Sequence, residues 1–325
     1  MNKNVIITGG AGYIGSHVCK ALAQNDFIPI CFDNLSQGHE WAVKWGPLEI
    51  GDILDSKQLD RLFHEYTPCA VIHLAGFTSV GESIANPIKF YQNNVVGTLA
   101  LLDKMKTFGV NKLIFSSSCA TYGTPVKIPI DESHTQDPIN PYGSTKLIIE
   151  KILRDFSEAY DIRSVSLRYF NAAGADPEGV IGECHDPETH LIPLILQTAA
   201  GLHPQIEIYG NDYDTPDGTC IRDYIHVTDL ADAHIKSLLY LLHSGETTAF
   251  NIGNETGISV MEILQKAEKI TGENIEYKIV ARRPGDAPCL IADSKKIKKE
   301  LGWKAKYSKL HDILSSAWKW QFKHN

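Results

Sequence analysis

Short apolar runs alternate with longer stretches of helical spacing along the first half of the chain. The apolar runs are Val5–Thr8, Phe27–Phe32, Ala70–Gly76, Lys112–Ser118 and Ile162–Asn171. The stretches between them, such as Gly15–Gln24, repeat apolar residues at the spacing of one helix face. Because short buried strands separated by helices form βαβ units, this pattern predicts an α/β protein built on a parallel sheet.

The pattern changes after Asn171. The segment "AAGADPEGVIGECHDPETH" is rich in glycine, proline and acidic residues, which predicts a long loop. Beyond it we predict helices near Leu191–Gly201, Asp229–Ser244 and Val260–Thr271, with short strands at "IEIYG" and "FNIGN". We interpret residues 1–171 as the main domain. Residues 172–325 are interpreted as mainly a smaller, mixed α/β substrate-binding lobe, with some chain crossing back to the main domain.

Three glycines follow the first predicted strand. Gly9, Gly12 and Gly15 lie in "TGGAGYIGSH", where they permit a tight turn, the approach of a pyrophosphate and close helix–strand packing. Asp33 ends the second predicted strand, and a carboxylate there accepts hydrogen bonds from ribose hydroxyls and repels a 2′-phosphate. An isolated glycine triplet is often a plain turn. In this context it predicts a Rossmann-type doubly wound domain that binds NAD rather than NADP.

Asp52 and Ile53 follow a further short strand that we predict between Phe32 and Ala70. An adenine ring at this place would need a hydrogen-bond partner and an apolar cover, which an acid and an isoleucine supply. The alternative is a turn followed by a core residue, and the sequence leaves both open.

Tyr142 and Lys146 open a predicted helix in "NPYGSTKLIIEK". Residues four apart share a helix face, so both side chains should enter the same space. A phenol has a pKa of about 10, and a nearby cation lowers it. With Lys146 and an oxidised nicotinamide nearby, we predict that the pKa of Tyr142 falls towards neutrality, as a general base requires. An isolated pair at this spacing is more often an ordinary surface pair.

Composition limits the possible partners. The 325 residues carry a net charge of −8, which argues against nucleic acid as a partner and requires local cations for any anionic ligand. The seven cysteines are widely spaced, so we expect free thiols and a cytoplasmic location rather than a disulfide framework. The first apolar run is too short for a signal peptide, and no segment approaches the ~20 apolar residues of a membrane span.

Several segments together resemble one family. "GGAGYIGSH", "FDNLS", "LAGFTSVGES", "FSSSCATYG", "PYGSTK", "LRYFNAAGA" and "RDYIHVTDLADAH" resemble the UDP-glucose (UDP-galactose) 4-epimerases of the extended short-chain dehydrogenase/reductase superfamily. The resemblance extends from Val5 to about Trp303. It implies bound NAD, a UDP-hexose substrate that is oxidised at C4 and reduced from the opposite face, and a homodimer.

The resemblance also implies residue roles. Tyr142 matches the catalytic base, Lys146 its partner, and Ser118 the group that hydrogen-bonds the reacting oxygen. Besides Tyr142 and Lys146, the positions that match cofactor contacts are Gly9, Gly12, Tyr13, Ile14, Gly15, Asp33, Asn34, Leu35, Ser36, Gly38, Asp52, Ile53, Leu74, Ala75, Gly76, Asn94, Ser116 and Phe170. Besides Ser118 and Tyr142, the positions that match nucleotide-sugar contacts are Asn171, His190, Leu191, Ile206, Tyr209, Arg222, Arg283, Asp286 and Leu290.

Three other activities remain as alternatives. An NDP-sugar 4,6-dehydratase needs an acid beside the reacting sugar, and related dehydratases place Asp-Glu directly after the serine or threonine, where this chain has Cys119 and Ala120. A UDP-uronate epimerase would need contacts to a C6 carboxylate. A non-catalytic NAD-sensing protein would not need Ser118, Tyr142 and Lys146 together.

The loop segment "ECHDPETH" places potential metal ligands at Cys184, Asp186, Glu188 and His190. A local loop cluster without a second ligand pair is seldom a metal site, and the implied reaction needs no Lewis acid. We therefore expect no metal.

Overall fold

Thirteen strands and eleven α-helices, with three short 3-10 or π helices, form the fold over the described residues of the computed structural model, which are 3–283 and 286–324. The strands are β1 (Asn4–Thr8), β2 (Ile28–Asp33), β3 (Leu48–Ile50), β4 (Ala70–His73), β5 (Lys112–Ser118), β6 (Arg163–Tyr169), β7 (Asn171–Ala173), β8 (Ile206–Tyr209), β9 (Ile221–His226), β10 (Thr248–Ile252), β11 (Gly257–Ser259), β12 (Tyr277–Val280) and β13 (Cys289–Leu290). The helices are α1 (Tyr13–Gln24), α2 (Ser56–Tyr66), α3 (Val80–Ala85), α4 (Pro87–Phe90), α5 (Gly97–Thr107), α6 (Pro141–Tyr160), α7 (Leu191–Ala199), α8 (Val227–Leu242), α9 (Val260–Thr271), α10 (Lys295–Leu301) and α11 (Leu310–His324).

Seven strands form one sheet in the order β3-β2-β1-β4-β5-β6-β10. Every neighbouring pair is parallel, which confirms the predicted doubly wound α/β fold. The strand order reverses beside β1, and in such sheets ligands bind outside the carboxyl ends of the strands at this switch point. Thr8, at the end of β1, pairs with Phe32 on one side and His73 on the other.

Helices cover both faces of the sheet with apolar side chains. On one face Val18 and Leu22 of α1 pack with Leu230 and Leu238 of α8. The opposite face is covered by α2, α5 and α6, through residues such as Leu59, Leu101 and Ile149. Strands buried on both faces are expected to be continuous apolar runs, which is why the short runs in the sequence predicted them.

The chain returns to the main sheet after the long loop. α8 packs beside α1, and β10 pairs with β6 in the register Phe250 to Leu167. Residues 172–325 therefore do not pack as a unit separate from residues 1–171. As a boundary of function, the division at residue 171 stays a prediction.

The remaining elements form a smaller layer beside the sheet. β9 pairs with β7, β11 and β13, while β8 pairs with β12. α7, α9 and α11 pack around a shared apolar cluster that includes Ile195, Ile263 and Leu314. Among the described residues, none of the helices is both long and apolar enough to cross a membrane.

Candidate active site

The glycine turn joins β1 to α1 at the carboxyl edge of the sheet. Gly9 has a φ of +74°, and a Cβ atom on it would lie 2.7 Å from the backbone nitrogen of Ala75. A Cβ atom on Gly15 would lie 2.1 Å from the carbonyl oxygen of Gly9. Both glycines are thus required by packing. Gly12 differs, because a Cβ atom there would meet that same oxygen at 3.4 Å, an ordinary contact.

Gly12 is also the N-cap of α1, and no side chain caps this helix. The first N–H groups of an uncapped helix, together with its dipole, suit an anion. Ile14 packs against the core, and the Tyr13 hydroxyl donates to the carbonyl of Gly174 at 2.6 Å. The start of α1 is therefore tied to the chain that follows β7.

The Asp33 carboxylate organises the loop after β2. Its two oxygens accept hydrogen bonds from the backbone N–H groups of Ala11 (3.0 Å) and Leu35 (2.8 Å). Burial raises the pKa of Asp33, and these hydrogen bonds oppose the rise. A Cβ atom on Gly38 would lie 3.0 Å from the same carboxylate, so the loop closes tightly around it.

A second acid lies beside this loop. The Asn34 amide donates to Asp52 at 2.9 Å, and its oxygen accepts the N–H of Ser36 at 3.0 Å. Ile53 is buried against Gly97, where a Cβ atom would come within 2.5 Å of the isoleucine. Ile53 is thus a core residue in this structure. Its predicted contact with adenine remains untested.

Asn94 connects the segment after β4 to the helix that carries Tyr142. It lies in a π-helical turn, Tyr91–Val96, between α4 and α5, a type of turn found often at functional sites. Its amide accepts the N–H of Phe77 at 2.9 Å and donates to the hydroxyl of Thr145 at 3.2 Å. A Cβ atom on Gly76 would lie 3.3 Å from the Asn94 oxygen. Leu74 and Ala75, just before Gly76, pack against the apolar clusters on opposite faces of the sheet.

Ser118, Tyr142 and Lys146 meet at the carboxyl end of β5. Asn140 caps α6 by accepting the N–H of Gly143 at 2.8 Å, which fixes Tyr142 in the first turn. The Lys146 ammonium lies 5.8 Å from the centre of the Tyr142 ring and donates to the carbonyl of Ser116 at 2.7 Å. All three side chains are buried, so the predicted shared helix face is present.

Burial dominates the ionisation of Tyr142 and Lys146 in the protein alone. Burial raises the pKa of Tyr142 to about 12, although a hydrogen bond with Ser118 opposes the rise. Burial also lowers the pKa of Lys146 to about 8, against the attraction of Glu150. Among the protein groups alone, desolvation penalises the buried phenolate more than these groups stabilise it. The prediction of a near-neutral tyrosine includes the charge of an oxidised nicotinamide and stays a prediction.

Two buried interactions beside the site were not found in the sequence. The hydroxyls of Ser116 and Tyr169 form a short hydrogen bond, and the carboxylate of Glu150 pairs with the Arg168 guanidinium at 2.5 Å. Glu150 lies one helical turn after Lys146, so the spacing alone was a usable signal for it. Phe170, a predicted cofactor contact, directly follows β6 and is buried in a cluster with Cys119 and Tyr122.

Two arginines lie in the smaller layer. Asp286 lies 3.5 Å from the Arg222 guanidinium and 3.0 Å from that of Arg283, so one carboxylate holds both cations. Arg283 also stacks over the ring of Tyr209, with its guanidinium carbon 4.7 Å from the ring centre. Pro284 and Gly285, which complete the "RRPGD" segment, lie outside the described residues.

Other predicted substrate residues fall into two groups. Leu290 is half-buried against a cluster that contains Cys119 and Phe170, and Asn171 begins β7 directly after Phe170. Ile206, by contrast, is buried in the core of the smaller layer, where packing accounts for it. Its predicted contact with substrate is untested.

His190 belongs to a four-residue cluster in the long loop. Leu191 begins α7 directly after it. Burial lowers the pKa of His190, but hydrogen bonds with Glu183 and Glu188 outweigh burial and raise it to about 10. His185 lies against the same two glutamates. The cluster therefore contains Glu183 and His185, and not the Cys184 and Asp186 that the sequence suggested.

These features together define a class of protein. A parallel sheet with its switch point beside β1, a glycine turn, an acid at the end of β2 and a buried serine–tyrosine–lysine set are the marks of the extended short-chain dehydrogenases/reductases. The class accounts for the position of the glycine turn, Asp33 and the buried set along one edge of the sheet.

Comparisons with known proteins narrow the class. The family model described as GDP-mannose 4,6 dehydratase matches residues 6–315. UDP-glucose 4-epimerase of Rhizobium meliloti (strain 1021) is 50% identical over 324 residues, covering 100% of this chain and 98% of that protein. The crystal structure of UDP-glucose 4-epimerase from Brucella ovis in complex with NAD is 51% identical, covers 97% of each chain and has a TM-score of 0.95. The corresponding enzyme from Bifidobacterium longum, in complex with NAD+ and UDP, is 40% identical, covers 99% of this chain and 98% of that one, and has a TM-score of 0.94. The chain belongs to the UDP-glucose 4-epimerase family, as its sequence motifs indicated.

Proposed function

We propose that this chain interconverts UDP-glucose and UDP-galactose, with NAD as its resident cofactor. The sugar is oxidised at C4 to a ketone and reduced again from the opposite face. The observation that carries the proposal is the buried set of Ser118, Tyr142 and Lys146, which lies along the same sheet edge as the glycine turn and Asp33.

The residues at this edge fit NAD. The start of α1 has no side-chain cap, and a Cβ atom on Gly12 would make only one ordinary contact. A pyrophosphate could therefore approach the first N–H groups of this helix. The Asp33 carboxylate lies at the end of β2, where it would accept the ribose hydroxyls and repel a 2′-phosphate. NAD, when bound, supplies the acceptor for the C4 hydrogen and its electron pair and places a positive charge near Tyr142.

Tyr142 is the proposed acid–base residue. Its phenolate would take the proton of the sugar 4-hydroxyl as the ketone forms, and the resulting phenol would return that proton when the alcohol forms again. Because burial raises the pKa of Tyr142 to about 12, the phenol favours its protonated form unless a cation is added beside it. A positive charge beside Tyr142 would therefore favour the phenolate, which is the form able to accept a proton, and removal of that charge would favour the phenol, which retains it.

Ser118 and Lys146 are proposed to assist. The hydrogen bond from Ser118 lowers the pKa of Tyr142, and the same hydroxyl can bind the reacting sugar oxygen. Lys146 is held by the carbonyl of Ser116 at 2.7 Å. With a pKa of about 8, it remains mostly protonated at neutral pH.

Arg222 and Arg283 are the proposed diphosphate ligands. The chain is acidic overall, with a net charge of −8, so a diphosphate needs local cations. Guanidinium groups present planar donors that match phosphate oxygens. Asp286 holds both arginines before any phosphate arrives, which reduces the entropy lost on binding.

The dehydratase alternative is disfavoured by the residues after Ser118. Cys119 is a buried thiol whose pKa is raised by burial to about 11, and Ala120 carries no ionisable group. Neither of these two residues is a carboxylic acid that could protonate a departing C6 hydroxyl. Product analysis distinguishes the uronate epimerase and the NAD sensor from the proposed epimerase.

One experiment separates these activities. Purified protein is incubated with UDP-galactose deuterated at C4, without added NAD. We expect UDP-glucose that retains the deuterium, because the same hydrogen returns to C4. A 4-keto-6-deoxy product would indicate a dehydratase, and a folded, NAD-bound protein without product would indicate a sensor or a uronate epimerase, which a parallel incubation with a UDP-uronate distinguishes. Either result overturns the proposal.

A homodimer and a cytoplasmic location belong to the same proposal. Exposed apolar side chains at Ile88 in α4, Val96 in the π-helical turn and Leu99 in α5 support an interface between two copies of the chain. The cysteines are free thiols, the form that a reducing compartment maintains. Analytical ultracentrifugation of wild type and Leu99→Glu tests the interface, since a monomeric wild type contradicts it.

A further inference from the structure

Four side chains in the long loop between β7 and α7 face a common centre. Glu183, His185, Glu188 and His190 each present one ligand atom, and these atoms all lie within 4.8 Å of one another. The two acids and two histidines come from eight consecutive positions. The sequence suggested Cys184 and Asp186 as members, but the loop conformation brings in Glu183 and His185 instead.

The histidine nitrogens lie close enough to the carboxylate oxygens to share one metal ion with them. The His185 Nδ1 atom lies 3.4 Å from Glu183 and 3.5 Å from Glu188. The His190 Nδ1 atom lies 2.9 Å from Glu183 and 3.1 Å from Glu188. A zinc ion with bonds of about 2.0 Å separates its tetrahedral ligand atoms by about 3.3 Å. The four histidine–carboxylate separations agree with that value to within about 0.4 Å, with Glu188 facing His185 through Oε2 and His190 through Oε1.

Hydrogen bonding accounts for part of this arrangement, since the Nδ1 atom of His190 lies 3.1 Å from Glu188, but it does not satisfy all the polar atoms that face the centre. Each Nδ1 atom faces both carboxylates, yet an imidazole nitrogen carries at most one proton and donates it in one direction. The Nδ1 atom of His185 is buried and has no hydrogen-bond partner among the described residues. A lone pair directed at a central cation would satisfy that atom.

We propose that Glu183, His185, Glu188 and His190 form a binding site for a divalent transition-metal ion of the Zn²⁺ type. Two carboxylates neutralise a divalent ion, and imidazole is a preferred ligand of zinc. The four protein ligands complete a tetrahedron, so the ion has a structural role and leaves the chemistry at C4 to other groups.

A bound ion would hold the long loop against the start of α1. Tyr13 packs edge-on against His185, with 6.5 Å between ring centres, and His39 contacts the carbonyl of Cys184 at 2.9 Å. The metal would therefore fix the distance between the helix start proposed for NAD and Leu191, which begins α7. Under this inference the His190 imidazole binds the metal and does not contact the nucleotide sugar.

Direct metal binding tests the inference. Untagged full-length protein is dialysed against a chelator, titrated with Co²⁺ while its visible absorption is recorded, and then challenged with Zn²⁺. We expect one tetrahedral Co²⁺ per chain, displaced by Zn²⁺, with a Kd on the order of 1 µM or tighter. Zn²⁺ should also raise the unfolding temperature.

Variants locate the ligands. His185→Gln and Glu188→Gln should each weaken binding by about 10-fold or more, with NAD content and circular dichroism recorded to verify folding. Cys184→Ser, in the same loop, and His203→Gln, exposed elsewhere, should bind as wild type does. Absence of binding at about 100 µM Co²⁺, loss of binding in Cys184→Ser, or unchanged binding in both cluster variants would overturn the inference. Because the readout is metal binding, these outcomes are independent of the epimerase assay.

Discussion

The glycine turn allows a prediction that separates packing from ligand binding. A Cβ atom at Gly15 would overlap the carbonyl of Gly9 at 2.1 Å, whereas one at Gly12 meets the same atom at 3.4 Å. Gly12 has φ −80° and ψ 179°, a conformation that alanine adopts readily. Gly12→Ala should therefore fold but exclude the pyrophosphate.

The magnitudes follow from these positions. Replacing the Gly12 N-cap by alanine loses about 0.5–1 kcal/mol of helix capping, and a less flexible unfolded chain restores about 0.4–1 kcal/mol. The intrinsic change is close to zero. Gly15→Ala must displace backbone and should cost about 1–3 kcal/mol or more.

Loss of NAD should appear in the unfolding temperature. Saturation at about 100 times Kd adds about 2.7 kcal/mol to the folded state. With about 2.1 cal/mol/K of unfolding entropy per residue, this equals about 4 °C for 325 residues. Gly12→Ala should melt at least that far below wild type, should not respond to added NAD, and should release no nucleotide when denatured.

Gly81→Ala provides the matched control. Gly81 lies in α3, and a Cβ atom placed on it would have nothing within 4 Å, so this variant should keep both its NAD and its unfolding temperature. If Gly12→Ala retains stoichiometric NAD and melts with wild type, the pyrophosphate does not lie at the start of α1, and the reasoning fails.

Four further predictions concern the site and its support. Tyr142→Phe should remain folded and NAD-bound but lose about 10²–10⁴-fold in rate, and turnover near that of wild type would remove Tyr142 from its role. Because burial lowers the pKa of Lys146 to about 8, its charge is lost as pH rises through that value and the rate should fall there. Lys146→Arg stays charged and should move this fall in rate to higher pH. If the fall stays at the same pH, another group causes it. Leu290, half-buried beside the proposed sugar site, should permit N-acetylated UDP-hexoses with a penalty of roughly 10–200-fold. Leu290→Tyr should increase that penalty in kcat/KM, and an unchanged ratio in active enzyme would exclude Leu290 as the gate. Glu150→Gln leaves the buried Arg168 guanidinium without its carboxylate partner, so the free energy of unfolding should fall by about 3–5 kcal/mol. Combining Glu150→Leu with Arg168→Met should recover most of that loss, and a double variant as unstable as the single one would contradict the reasoning.

Local spacing was sufficient to predict the sheet and much of the proposed cofactor edge. Apolar runs of strand length located β1, β2, β4, β5 and β6, since strands buried on both faces need continuous apolar side chains. The glycine triplet and Asp33 could be placed relative to each other, because consecutive strands of a βαβ unit end at the same sheet edge. Tyr142 and Lys146 could be placed on one helix face for a similar reason.

Tertiary structure decided the features that depend on residues distant in the sequence. Pairing of β10 with β6 returns the chain to the main sheet from beyond the long loop. Burial by the surrounding elements raises the pKa of Tyr142, so the direction of the shift cannot be obtained from its spacing to Lys146. The loop conformation, rather than residue order, selected Glu183 and His185 over Cys184 and Asp186. The physical reason is common to all three: hydrophobic periodicity and turn chemistry act over a few residues, whereas desolvation, ion pairing and strand order depend on which distant groups the fold brings together.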